Sequence, residues 1–236
     1  MNKLLKRFDE IIEYNKHKDE VLAFIGMGSM SSTKRMDAYS DIDFFIIVKN
    51  AYKQTYLERM DWLNVKEITW WYQETKDGIK AIYEDGIYLE FAVFTEDEIK
   101  DIDFYEATIY YQSKDIDEQS IQPKQKKHHV VDIKYEINTL LSNLYVGLLR
   151  QKRGEKAAAF LMIQVYATNH LLKVLDQHPD DMYVVERRIE QRLDLNYEIL
   201  YGGISNNVES AKYQLEMIKH EFDVNLSFLK EIENLL

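Results

Sequence analysis

Apolar residues recur through the first eighteen positions at Leu4, Leu5, Phe8, Ile11, Ile12 and Tyr14, with charged residues between them. Spacing of three and four predicts an amphipathic helix over 2–18. The pattern then shifts to short continuous apolar runs. Residues 21–28 predict a buried strand that ends in glycine, and the small, polar stretch 28–40 predicts a turn followed by a short helix or loop. Residues 41–48 carry Phe44, Phe45, Ile46, Ile47 and Val48 and predict a second strand. Strands are also expected over 67–72, over 87–95 after the turn signal Glu84-Asp85-Gly86, and over 108–112. From about residue 123 the period changes. A basic connector over 123–129 leads into a helix with the stripe Ile133, Ile137, Leu140, Leu141, Leu144 and Leu148. Further helices are predicted over 155–176, 181–201 and 206–235, punctuated by Gly202 and Gly203. Strands first and helices afterwards predict an α+β chain: a mixed β-sheet with flanking helices over 1–122, then a helical bundle over 123–236.

Composition narrows the chemistry. The chain has 236 residues and a net charge of −11, whereas a protein that grips nucleic acid needs a basic face to neutralise phosphates. Nucleic acid is therefore not the expected partner. Cysteine is absent, which excludes disulfides, thiolate metal sites and cysteine nucleophiles. No secretory signal core is present and no apolar run approaches the length of a membrane span, so the expectation is a cytoplasmic protein without a membrane partner.

The informative stretch is Phe24-Ile25-Gly26-Met27-Gly28-Ser29, eleven further residues, then Asp41-Ile42-Asp43-Phe44. Two aspartates two apart on a strand share one face. Within an apolar strand they repel each other and are costly to desolvate, and a hard divalent cation such as magnesium relieves both. Gly28 lets a phosphate approach backbone N–H groups, and the Ser29 hydroxyl adds a donor. A third acid, Glu90, stands between apolar neighbours on the 87–95 strand. Three such acids suit either a three-ligand metal site or two ligands with a third that takes a proton from an attacking hydroxyl. Lys34 and Arg35, in the loop before Asp41, are candidates to touch the outer phosphates, with a solvated loop as the plain alternative.

Gly-Ser, a spacer, Asp-X-Asp and a lone acid on a later strand resemble the DNA polymerase β-like nucleotidyltransferase superfamily. Asp37-Ala38-Tyr39-Ser40-Asp41-Ile42-Asp43-Phe44, Asp61-Trp62-Leu63 and Leu89-Glu90-Phe91 with Thr95-Glu96-Asp97-Glu98 are similar to the lincosamide nucleotidyltransferases of the LinB type. So are Asn143-Leu144-Tyr145, Leu149-Arg150 and Lys152-Arg153-Gly154-Glu155, and Tyr83-Glu84-Asp85-Gly86 resembles the aminoglycoside 6-adenylyltransferases. Asp43 stands where the LinB type carries glutamate. The resemblance implies a nucleotidyltransferase-type sheet in which Asp41 and Asp43 bind magnesium and Glu90 is the general base. Gly28, Ser29, Ser40, Lys34 and Arg35 then form the nucleotide-binding set. It also implies ATP or another nucleoside triphosphate as donor, an antibiotic hydroxyl as acceptor, and a homodimer. Transfer to a protein or RNA hydroxyl, and a nucleotide-binding module without catalysis, are the competing readings.

Glu136 and Glu155 are alternative bases, Glu155 having a plainer role at a helix N-terminus. Of Trp70 and Trp71, adjacent on a strand, one is expected in the core and the other on the cleft, while Trp62 is a further stacking candidate. His128 and His129 are expected at the surface.

Overall fold

The computed structural model describes residues 2–32, 36–125, 130–176 and 185–236. The chain divides into two units, Met1–Lys126 and Lys127–Leu236.

In the first unit, helix α1 (Lys3–Asn15) starts at Asn2, whose side chain accepts from the Leu4 N–H. A cap of this kind satisfies one of the orphan donors of the first turn. The predicted stripe is the buried one: Leu4, Phe8, Ile11 and Ile12 face inward. The helix closes with buried Asn15, whose amide donates to the carbonyls of Ile11 and Trp62 and so ties the helix end to a loop 47 residues on.

Six strands follow: β1 (Val21–Gly26), β2 (Ile42–Val48), β3 (Ile68–Gln73), β4 (Gly78–Tyr83), β5 (Tyr88–Thr95) and β6 (Thr108–Gln112), with the short helix α2 (Lys53–Glu58) between β2 and β3. Their order in the sheet is β3-β4-β5-β2-β1-β6. Every pairing is antiparallel except β2 with β5. Strand β4 is absent from the sequence expectations above. Its alternation, Ile79, Ala81 and Tyr83 buried against Gly78, Lys80 and Ile82 half-buried, is a plain period of two, and its short length hid it behind the stronger turn signal that follows. Asp41 lies just outside β2, which begins at Ile42 rather than at residue 41.

One sheet face packs on α1 and carries an aromatic core. Phe44 stacks on Phe91 at 5.1 Å, and Phe8, Phe24 and Trp62 surround it. Trp62 is thus a core residue, its indole N–H donating to the Tyr56 carbonyl. The other face is covered over β1 and the far ends of β2 and β5 by Ile99, Phe104, Ile116 and Ile121. Farther along, β2, β5, β4 and β3 carry Asp43, Glu90, Lys80 and Tyr72, of which Glu90 and Tyr72 are exposed and Asp43 and Lys80 half-buried.

In the second unit, α3 (Ile133–Lys152) is capped by Asp132 and buries the predicted stripe Ile137, Leu140, Leu141, Leu144 and Leu148. A 20-residue helix, Lys156–Leu175, follows. It comprises α4 (Lys156–Phe160), a π-helical segment (Leu161–Ala167) and α5 (Thr168–Leu175). Among the described residues it alone is long and apolar enough to cross a membrane by length and composition, a correction to the expectation that no run approaches that length. Its buried Gln164 and Thr168 argue for a core helix. Gln164 exchanges hydrogen bonds with the Gly203 backbone and donates to Asn207, while Thr168 donates to the Ile163 carbonyl.

The helices expected over 181–201 and 206–235 are shorter and broken. Residues 177–184 lie outside the described set. Arg188 adopts φ +56°, and among the described residues of 185–201 only α6 (Tyr197–Leu200) is α-helical. Beyond it, α7 (Asn207–Ile218) and α8 (Leu226–Glu233) are separated by a turn, and α8 restarts on the side-chain cap of Asn225.

Candidate functional site

The site grows from the end of β1. Its last residue, Gly26, is followed by a tight 3-10 turn, Gly28–Ser31. The Met27 N–H donates to the Asp43 carbonyl at 2.8 Å, pinning the turn to β2. Gly28 has φ +49°, and a Cβ on it would stand 2.8 Å from Asp43 Oδ2. Glycine is needed here for both reasons: only it adopts this conformation freely, and only it lets the turn lie against the carboxylate.

Ser29 donates its hydroxyl to the Asp41 carbonyl at 3.1 Å, so it fixes the approach to β2. Ser40 is engaged locally with Asp37, accepting from its N–H and donating to its carboxylate. Lys34 and Arg35 lie outside the described residues, as do His128 and His129.

The decisive juxtaposition comes from pairing. In the parallel β2–β5 ladder Asp43 is the partner of Glu90. In the β4–β5 ladder Glu90 is the partner of Lys80, and in the β3–β4 ladder Lys80 is the partner of Tyr72. Directly paired residues project from the same face, so Tyr72, Lys80, Glu90 and Asp43 form one row across four strands. Glu90 is 49% exposed, on the open face.

Crowded acids perturb Asp43. Burial first, then the charges of Asp41 and Glu90, push its carboxyl up to about 7. Among the described residues no lysine or arginine is ion-paired with Asp41 or Asp43; of the three acids, Lys80 reaches Glu90 alone, at 3.8 Å. Unmatched, hard oxygen donors of this kind fit a magnesium ion. Among the described residues no three His, Cys, Asp or Glu side chains form a closed metal-binding group. Asp41 and Asp43 by themselves supply two carboxylates, so a cation held there would need phosphate and water oxygens to complete its coordination.

The row is bordered by aromatic surface that the sequence reading did not connect to it. Trp70 pairs with Ile82, which pairs with Tyr88, beside the acid row. Trp70 is 46% exposed and its ring lies 5.0 Å from that of Tyr72. Trp71 turns to the opposite face, opposite Ala81, and is 40% exposed beside Met60, Asn64 and Lys66. Neither is in the core, which corrects the expectation for this pair: β3 is the edge strand, and both side chains stay partly exposed there.

In the second unit the two alternative bases are occupied. Glu136 contacts His170 Nδ1 and lies 3.9 Å from Lys173 Nζ. Glu155 precedes α4 without capping it by a side-chain hydrogen bond, and pairs instead with Arg150 at 3.4 Å and Arg153 at 3.7 Å.

No protein-family model matches the sequence, and comparison with curated proteins finds no match. Solved structures similar to this chain include an aminoglycoside 6-adenyltransferase from Bacillus subtilis, 11% identical, with 100% of this chain and 92% of that one covered and a TM-score of 0.36. A nucleotidyltransferase-like protein from Exiguobacterium sibiricum 255-15 is 13% identical over 98% of this chain and 73% of that one, at 0.33. A STING-associated CdnE c-di-GMP synthase from Capnocytophaga granulosa is 14% identical over 98% and 76%, at 0.31. Likeness of this degree adds nothing to the chemistry of the site, which rests on its own geometry.

Proposed function

We propose that the first unit is the catalytic centre of a magnesium-dependent nucleotidyltransferase that moves a nucleoside monophosphate from a nucleoside triphosphate to a hydroxyl of a small molecule. The observation that carries this reading is the parallel pairing of Asp43 with Glu90 beneath the Gly28 turn, with Asp41 two residues away. Asp41 and Asp43 are the residues that would hold the metal. Magnesium, when bound, neutralises charge on the α-phosphate and on the departing pyrophosphate.

The chain's own residues supply the rest. In the Gly28–Ser31 turn the Met30 and Ser31 N–H groups donate to the Met27 carbonyl, so phosphate oxygens would approach at the half-buried Gly28 and Ser29. Glu90, half-exposed beside Asp43, accepts the proton of the attacking hydroxyl. The acceptor oxygen bonds to the α-phosphorus as the bond from that phosphorus to the bridging oxygen breaks, and pyrophosphate leaves with the bonding pair. Trp70 and Tyr72, whose rings are tilted at 48° on the strand beyond Lys80, offer aromatic surface suited to the ring of an acceptor.

ATP as donor, a lincosamide or aminoglycoside as acceptor and a homodimer are proposals that rest on the sequence resemblance, and a cytoplasmic setting is one that rests on the sequence pattern. The net charge of −11 favours a small or cationic acceptor over RNA. The test is transfer from α-labelled ATP with magnesium to clindamycin, streptomycin and kanamycin offered separately, with Asp43→Asn as control. Label on one drug that disappears in Asp43→Asn supports the assignment. Full turnover in Asp43→Asn sinks the site, and absence of any nucleotide binding sinks the function.

A further inference from the structure

Lys80 has no role in the mechanism above, yet it stands in the middle of the row. Its ammonium group hydrogen-bonds Glu74 Oε1 at 2.8 Å and lies 3.8 Å from Glu90 Oε1. The same Glu74 oxygen accepts the Tyr72 hydroxyl at 3.0 Å. The side chain of Lys80 is 21% exposed, less than half the exposure of Glu90. The hydrogen bond to Glu74 contributes most to raising its pKa, against a smaller effect of desolvation, so it stays charged at neutral pH.

We propose that Lys80 is a positioning residue for Glu90: tethered by Glu74, it supplies a nearby positive charge while leaving the Glu90 oxygens free to receive the acceptor's proton. The proposal rests on the reading of the site as a nucleotidyl-transfer centre. Its physical content is the difference between 2.8 and 3.8 Å. A lysine hydrogen-bonded directly to Glu90 would occupy the lone pair that takes the proton. Without Lys80, the metal-free site would leave Glu90 beside the like charges of Asp43 and Asp41, with no ion-paired lysine or arginine among the described residues. At 3.8 Å the cation offsets that repulsion without a hydrogen bond, and Glu74, buttressed by Tyr72, keeps it there. Lys80 and Glu90 are paired across neighbouring strands, while Glu74 lies in the turn between β3 and β4, where its N–H donates to the Gly78 carbonyl at 2.9 Å.

The alternative is an ordinary surface ion pair that merely steadies the sheet edge, worth little. Lys66 and Glu84, 2.6 Å apart and flanking the same hairpin, supply the control. The experiment compares the wild-type chain with Lys80→Met, Lys80→Arg, Glu74→Gln and Lys66→Met. Three quantities are measured: the urea unfolding midpoint, magnesium-ATP affinity by calorimetry, and steady-state pyrophosphate release from magnesium-ATP with glycerol as a generic hydroxyl acceptor.

Lys80→Met is expected to lower kcat roughly tenfold, equivalent to about 1.4 kcal/mol in the barrier, with KM and affinity for magnesium-ATP within about twofold of wild type. Lys80→Arg restores most of the loss. Glu74→Gln, which keeps the lysine but releases it onto Glu90, also lowers kcat several-fold, and Lys66→Met does not. Wild-type turnover in Lys80→Met, or an equal loss in Lys66→Met, overturns the proposal and leaves the reading of the site standing. A wild-type chain that releases no pyrophosphate overturns that reading and the proposal with it.

Discussion

Replacing Gly28 with alanine separates backbone strain from the function of the acid cluster. Gly28 has φ +49° and Gly86 has φ +80°, so alanine at either position pays the left-handed penalty, about 1–2 kcal/mol. The two sites differ in what the new methyl meets. At Gly86 nothing lies within 4 Å; at Gly28 the methyl would stand 2.8 Å from Asp43 Oδ2. Ordinary contact begins near 3.4 Å, so the carboxylate must retreat by about 0.6 Å. That movement is cheap in stability, because the displaced atom is the end of a side chain, but it relocates a proposed metal ligand. Misplacement by about 1 Å in an active site costs on the order of 100-fold in rate, so a loss of at least about tenfold is expected here. The assay is urea unfolding followed by magnesium-ATP titration and transfer kinetics on Gly28→Ala and Gly86→Ala side by side. Both variants are expected to lose similar stability, and only Gly28→Ala to lose nucleotide affinity and turnover. Equal nucleotide affinity and turnover in the two variants would refute the reasoning.

Phe44→Ala removes the ring at the centre of the aromatic cluster, fully buried and stacked on Phe91. It is expected to cost about 3–5 kcal/mol by denaturant unfolding, and a loss under about 1 kcal/mol would contradict the packing described. Asn207→Ala removes hydrogen bonds to Gln151, Lys156 and Gln164 inside the helical unit. Its expected cost is about 2–3 kcal/mol, read from the urea midpoint of that unit's transition. Glu98 concerns pH. Burial raises its carboxyl, but the Lys53 ammonium and the Thr95 N–H together hold it below the usual 4.5. A depressed carboxylate stabilises the fold above its unfolded-state value, and that contribution is lost as pH falls through the folded one. Glu98→Gln should therefore flatten the fall in stability below about pH 4.5 and leave its alkaline side unchanged. Superimposable acid limbs for variant and wild type would contradict this.

Local pattern was enough for much of this chain. The helical period of Leu4, Phe8, Ile11 and Ile12, the apolar runs that became β1, β2 and β5, and the stripe of α3 are each set by neighbours within a turn or a strand, so they are legible residue by residue. The pairing of glycine turn and aspartates was legible for the same reason, since Gly28 and Asp43 mark the ends of adjacent antiparallel strands. Short β4 was missed because five or six residues of alternation weigh less than the turn beside them. The long helices expected after residue 180 failed because periodicity does not register a break such as the positive φ of Arg188 or a restart on the Asn225 cap.

What the sequence determined by itself was therefore the class of the fold and the identity of the acids. Only tertiary structure decided what those acids do to one another. Glu90 meets Asp43 because β5 passes beside β2 in parallel, 47 residues later in the chain, and Lys80 meets Glu90 because β4 pairs with β5. Register between distant strands is fixed by which faces bury together, a long-range balance that no local window contains. The same balance left β3 at the edge with Trp70 and Trp71 partly exposed, and it pushed the Asp43 carboxyl up to about 7 by burying it and by bringing the charges of Asp41 and Glu90 near it.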